Sequence, residues 1–316
     1  MPISFPALSR GQLVQVHDLA YILATLDSDG KLDGLPFMPE MAALCGQAFH
    51  VTRQVERTCV AGVGMRRMRN TVFLDTPRCD GHAHDGCQRA CQMFWKTAWL
   101  FPIQAISPRT GGAPVSQRPT SLPTCIGARY VCQSTELAGA TLPLSRWSVV
   151  PFLREIANGD LSWSAFARIA TRAARRRLFP GRESESLAGA PGKKSRGALG
   201  LGGGDWVDVK GAADIVEALD EHGTNCGLGF TPTMVPALGQ RHRVLFPIHK
   251  IILEQDGRMV HLSNTVVLDG VVCQGNCVNE CPRAEYLYWR ESWLDRADGP
   301  SMSSVAGSRS ALLKDH

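Results

Sequence analysis

The sequence predicts an α+β protein of two homologous small modules, each an SH3-like β-barrel with a C-terminal Trp-x3-Trp helix, joined by a middle segment and a linker. Three observations carry this expectation. First, the chain repeats itself: Gly34, Leu35, Phe37, Pro39 and Met41 return as Gly227, Leu228, Phe230, Pro232 and Met234. After a one-residue shift, Asn70, Cys79, Cys87, Trp95 and Trp99 return as Asn264, Cys273, Cys281, Trp289 and Trp293. Second, both copies carry short apolar runs punctuated by turn residues, the pattern of short strands. Third, 316 residues suit about two domains.

The first copy spans 11–100. Leu13, Val14 and Val16 read as a strand, as do Trp206, Val207 and Val209 in the second copy. Asp18 is placed to cap a helix whose Leu19, Ile22, Leu23 and Leu26 share a face. Pro39 suits the first turn of another helix, and Gly46 its stop. Phe49 and Val51 open an extended segment, Thr71 to Leu74 form another, and a final helix is expected from Cys87 to Leu100. On that helix Trp95 and Trp99 would share the core face, leaving Lys96, and Arg290 in the second copy, exposed.

The middle segment, 101–179, matches neither copy. Residues 107–124 read as loop, Tyr130 to Leu137 and Trp147 to Ile156 as small packed elements, and Ser162 to Leu178 as a basic helix. Residues 180–203 have the composition of a flexible linker. The second module covers 204–296, and 297–316 read as a disordered tail.

Composition excludes little and steers gently. The chain is 44% hydrophobic and 20% charged, with 34 basic against 29 acidic residues, an imbalance too small to imply nucleic acid or membrane. No apolar run has the length of a bilayer span, and no secretory signal precedes Gly11, so a cytoplasmic protein is expected. Eleven cysteines in such a chain read as metal ligands or reactive thiols before disulfides.

Those cysteines cluster. In the first copy Cys79, His84, Cys87 and Cys91 are spaced C-x4-H-x2-C-x3-C, with His82 as a substitute. Four soft or borderline donors in a polar loop suit a tetrahedral zinc site or an iron–sulfur cluster, and the spacing does not choose between them. The second copy keeps Cys273 and Cys281 and adds Cys277, but has Val278 for His84 and Glu285 for Cys91. Such a site would be open, as catalytic metals are, or would bind no metal. Cys45, Cys59, Cys125, Cys132 and Cys226 could complete either set. Cys132 has polar neighbours in Gln133 and Glu136, although a buried structural cysteine accounts for it as simply.

The motifs Gly34-Leu35-x-Phe37-x-Pro39-x-Met41, Cys79-x-Gly81, Trp95-x3-Trp99 and Tyr130-x-Cys132-Gln133-x-Thr135-Glu136-Leu137 resemble those of a group of uncharacterised bacterial cysteine-rich proteins with tandem modules. The resemblance implies the tandem design and no mechanism. Three functions are expected to compete. One is a metal-binding scaffold, zinc or iron–sulfur, serving a small-molecule or protein partner. Another is a metal-dependent enzyme of bacterial specialised metabolism with an open site at Cys273, Cys277 and Cys281. The last is nucleic-acid binding through the basic helix at 172–177, which would show as a salt-sensitive affinity.

Overall fold

The computed structural model describes residues 8–103, 122–145, 148–178, 187–190, 197–275 and 280–299. The chain is a mixed α+β protein that divides into two compact units. Among the described residues no helix is long and apolar enough to cross a membrane.

The first unit comprises Met1–Glu183, Lys250–His261 and Cys273–Glu285. Its main sheet is antiparallel, with strands in the order Trp95–Lys96, Thr71–Leu74, Ala48–Gln54, Leu13–Val16, Leu100–Pro102. Alternation sets the inner face: Val14 and Val16 have no exposure while Leu13 faces out. Helix α1 (Leu19–Ala24) starts where Asp18 accepts a hydrogen bond from the amide of Tyr21 at 2.8 Å, as its capping position predicts. Helix α2 (Pro39–Ala42) begins on its proline and buries Met41.

The expected helix from Cys87 to Leu100 does not form. Residues 88–94 are irregular, Trp95–Lys96 is a strand, Thr97–Trp99 is a single 3-10 turn, and Leu100–Pro102 is the edge strand on the far side of the sheet. Sheet pairing, Val72 beside Trp95 and Val16 beside Leu100, supplies the backbone bonds that a helix would have supplied. Both indoles are still fully buried, with Phe37 edge-on to Trp99 at 5.3 Å. Burial therefore selects the i, i+4 spacing without a helix. Lys96 is not exposed either: it is 1% accessible and donates to Asp33 at 3.0 Å and to the carbonyl of Arg69 at 3.2 Å.

Around this sheet lie helices α3 (Gln133–Ala140), α4 (Val150–Ala157) and α5 (Trp163–Leu178), the last being the expected basic helix. The hairpin Arg57–Val60/Gly64–Arg67 meets α4 through Arg57 and Glu155, paired at 2.8 Å with neither side chain exposed. Residues 104–121, most of the expected loop, and Trp147 lie outside the described residues.

The second unit comprises Ser184–His249, Leu262–Val272 and Tyr286–His316. Its sheet order is Tyr286–Arg290, Thr265–Val272, Arg241–Pro247, Trp206–Val209, Leu294–Ala297, strand for strand the order of the first sheet. A 3-10 turn, Glu291–Trp293, again stands where a helix was expected. Helix α6 (Ala212–Ala218) occupies the position of α1. Phe230 lies edge-on to both Trp289 and Trp293. Arg290, expected outside, is buried and donates to the carbonyls of Asn225, Ser263 and Cys226.

Two boundaries differ from expectation. Residues 204–296 do not stay together: the hairpin Lys250–Ile252/Met259–His261 and the cysteine segment Cys273–Glu285 belong to the first unit. Residues 197–203 do not behave as linker. Leu201 is buried, and consecutive amides of Leu199, Gly200 and Leu201 all donate to the buried carboxylate of Glu291. Composition missed this because backbone donors carry the contact. Residues 179–186, 191–196 and 300–316, the rest of the expected linker and tail, lie outside the described residues.

Candidate metal centre

Four thiols converge in the first unit, from two directions. Cys79, Cys87 and Cys91 come from the loop after Thr71–Leu74, and Cys132 comes from the N-terminus of α3. They line one small cavity of about 30 Å³, with Met38, Phe94, Ile252 and Arg283 among the other walls. The loop is folded tightly. The amide of Cys79 donates to the carbonyl of Cys91 at 3.0 Å, and Gly81 crosses so close to Cys87 that a Cβ there would stand 2.1 Å from its carbonyl oxygen. With φ at +65°, Gly81 admits no other residue without rearrangement.

Backbone donors aim at the sulfurs. The amide of Ile252 reaches Cys87 Sγ at 3.4 Å, and Cys79 receives the amide of Gly81. Cys132 sits at the N-cap of α3, where the amides of Ser134 and Thr135 and the Thr135 hydroxyl turn toward its sulfur. Such donors stabilise negative charge on sulfur. Burial opposes them and wins in the metal-free protein: it pushes the Cys79 and Cys132 thiols up, and Cys91 up to about 12. A cation among these sulfurs would reverse that balance, because thiolates are its ligands.

His84 does not join them. It is 2% exposed, its Nδ1 lies 2.6 Å from Glu40 Oε1, and its Nε2 lies 2.9 Å from the carbonyl oxygen of Val131. Both neighbours are acceptors, so both ring nitrogens carry protons and no lone pair is left for a metal. Burial alone would lower the pKa of His84, but the hydrogen bond and charge of Glu40 outweigh it, and the net shift is upward from 6.5. Stability from this pair is therefore complete below about pH 6.5 and is lost as pH rises through the elevated value. Melting temperature should fall along that limb in the wild type and stay flatter in His84→Gln; parallel curves would disprove the charged pair.

His82, the expected substitute, is also elsewhere. With Glu40 and Asp80 it forms the one group of three or more possible donors, among the described residues, whose ligand atoms lie within 4.8 Å of one another. His82 Nδ1 is bonded to Asp80 at 2.7 Å. It follows that no three of the described cysteine sulfurs approach one another that closely.

The second copy's cysteines meet a residue of the first copy. Cys281 Sγ stands 3.1 Å from Cys59 Sγ and accepts the amide of Cys59 at 3.2 Å. Cys273 Sγ accepts the amide of Gly275 at 3.4 Å, and Gly275 crosses Cys281 as Gly81 crosses Cys87. Ile252 and Cys59 hold the same position in the two copies, so each copy's hairpin donates an amide to the other copy's cysteine. The hydrogen bond shared with the Cys59 thiol, with those from the amides of Arg283 and Cys59, pulls Cys281 below the usual thiol range, and the same pairing pushes Cys59 up. Cys277 lies outside the described residues.

Arg89 and Arg283, again equivalent positions, flank these thiols. Arg89 pairs with Glu285 at 2.7 Å and Glu254 at 3.0 Å, while Arg283 pairs with Glu254 at 2.8 Å and also with Glu285. Glu285, which stands where the first copy has Cys91, is thus held by two guanidiniums. Beyond Cys281 opens a cleft of about 500 Å³ lined by Arg53, Asp160, Ser162, Arg168, Arg172, Gln274 and Glu280. Cys45 packs against the core, and Cys125 and Cys226 are exposed.

Cys132 is the site residue whose role spacing could not assign. The available signal was a cysteine three residues before Thr135, an N-cap pattern with sulfur in place of oxygen. Gln133 then fixes the far side of the cavity, exchanging hydrogen bonds with both backbone groups of Phe94 at 2.8 Å. Comparison with protein-family models, with curated proteins and with solved structures finds no match to this chain.

Proposed function

We propose that this chain is a cytoplasmic metal-binding protein whose centre is an iron–sulfur cluster held by Cys79, Cys87, Cys91 and Cys132. The observation that supports it most is four thiols lining one cavity, no three of them as close together as a single ion would draw them. Zinc binds sulfur at about 2.3 Å, which sets tetrahedral sulfurs about 3.8 Å apart. A four-iron cluster separates its thiolates further, because each binds a different iron and the irons and sulfides fill the middle. When bound, such a cluster supplies one-electron transfer. The protein's own residues enclose it and direct amides at its sulfurs.

The same reading takes each five-stranded sheet as an SH3-like barrel and the two sheets as copies of one module. In both, the last strand returns beside the first after one 3-10 turn, which is how a five-stranded meander closes. The tandem design suggested by the bacterial cysteine-rich group fits this reading. An enzymatic role has one specific support, the cleft beside Cys281, which a pure scaffold has no need of. Arg168 and Arg172 of the basic helix line that cleft; the side chains of Arg176 and Arg177 lie outside the described residues.

Protein purified without oxygen should be brown, with broad absorption near about 400 nm and matching iron and acid-labile sulfide. Colourless protein whose Cys79–Cys132 site holds zinc would end the cluster reading.

A further inference from the structure

Each unit buries a cation at the same point of its sheet, and the two cations are treated differently. Lys96 pairs across the sheet with Thr71, and Arg290 with Thr265, each just before its unit's 3-10 turn. Against each cation lies a two-residue hairpin turn of one backbone shape. Asp33 and Gly34 have φ of 50° and 77°, and Cys226 and Gly227 have 47° and 79°. In the first unit this turn supplies a carboxylate: Asp33 accepts from Lys96 at 3.0 Å. In the second, cysteine stands at that position.

Arg290 is therefore a buried cation among neutral acceptors. It donates to the carbonyls of Asn225, Ser263 and Cys226 and to the Thr265 hydroxyl. Those four bonds leave one N–H of Nη2 without an acceptor among the described residues. Burial lowers the guanidinium's pKa, and Cys226 pulls the other way. An uncompensated buried charge is costly, and there is room to compensate it. Arg290 borders a cavity of about 470 Å³ lined also by Asn225, Cys226, Ser263, Asn264 and Ser292, with no acidic side chain in its wall.

We propose that this cavity binds a small carboxylate-bearing molecule, whose carboxylate takes beside Arg290 the place that Asp33 takes beside Lys96. Charge selects carboxylate over phosphate: one guanidinium balances one negative charge, whereas a phosphate monoester carries about −1.5 to −2 at neutral pH. Geometry agrees, because Arg290 has one N–H to offer and not the two-pronged fork that clamps phosphate. The Ser292 hydroxyl and the Asn264 amide stand in the same wall as neutral donors. The volume suits a small ligand, whose sites span roughly 300–1,000 Å³. All of these residues lie in the second unit, and the site requires nothing of the cysteine cavity.

The test is the thermal stability of full-length wild type, Cys226→Asp and Cys226→Asn, titrated with acetate or inorganic phosphate against chloride at matched ionic strength. Acetate should raise the wild-type melting temperature saturably, and phosphate should do so less. Cys226→Asp returns the missing carboxylate to the chain. It should melt above Cys226→Asn in chloride, and its apparent affinity for acetate should fall at least tenfold. Cys226→Asn is the control, because asparagine also tolerates the φ of 47° but brings no charge; it should still respond to acetate. A wild type indifferent to acetate overturns the proposal. So does an acetate response equal in the two variants, which would put the anion elsewhere. Phosphate that stabilises more than acetate overturns the ligand class. Should Cys226→Asp not fold, alkylation of the exposed Cys226 in the wild type decides. Saturating acetate should slow its reaction with iodoacetamide at least tenfold, and an unchanged rate overturns the proposal.

Discussion

Cys132→Ser is expected to empty the cluster site, with iron and the brown colour falling at least tenfold, while His84→Gln keeps both. The contrast is sharp because spacing within the loop would give the opposite ranking. Serine is nearly the size of cysteine, so α3 keeps its N-cap and Thr135 keeps its bond to the Cys132 amide at 3.0 Å. What is lost is the soft donor, and a hydroxyl does not replace a thiolate for iron or zinc. Loss of the metal should also lower the melting temperature, because binding free energy that exists only in the folded state becomes folding free energy. Cys45→Ser is the control for a generic thiol effect: Cys45 packs beside the core and does not line the cavity. Iron retained in Cys132→Ser, or lost equally in Cys45→Ser, would remove Cys132 from the ligand set.

The second large effect belongs to Arg57. Arg57→Leu should cost about 3–5 kcal/mol, the usual result of stranding one member of a buried ion pair. Arg57 and Glu155 are both fully buried and 2.8 Å apart, and the guanidinium stacks over the Phe152 ring at 4.2 Å. Burial pushes the Glu155 carboxyl up and Arg57 pulls against it, the net shift being upward. Without Arg57 the remaining cation is Arg53, at 3.5 Å and partly solvated. The variant's deficit should therefore shrink as the pH falls, because Glu155 can escape by taking a proton. Glu155→Leu has no such escape, since arginine stays charged. Arg57→Leu/Glu155→Leu should recover most of the loss, as apolar replacement of a buried pair often costs little. Chemical denaturation of the four proteins gives the cycle, and additive single costs would show the pair to be uncoupled.

Much of the local structure could be read from residue order. The strand at Leu13–Val16, the Asp18 cap, the Pro39 helix start and the basic helix at Trp163–Leu178 are all where their patterns place them. These features obey rules that act over a few residues. The Trp-x3-Trp segment was misread for the same reason, since i, i+4 spacing is the signature of a helical face. Only the partners of Trp95, across the sheet in Val72, decide for a strand. Lys96 and Arg290 were misjudged similarly: a charged side chain reads as exposed until buried carbonyls, far away in the chain, are seen to receive it.

By itself, the sequence carried the recurring residue pattern and showed its thiols gathered in two short stretches, with Cys79, Cys87 and Cys91 in the first. Short spacing constrains those three, because a loop of that length cannot part them far. Tertiary structure decided which distant cysteines join them: Cys132 at the same cavity, and Cys59 beside Cys281. Cys132 reaches Cys79 from more than forty residues away, and Cys59 meets Cys281 across 222 residues. Contacts of that separation depend on where sheets and helices pack, which no local pattern encodes. The same packing gives both nitrogens of His84 to Glu40 and Val131, and so removes from the site the residue that spacing had put there.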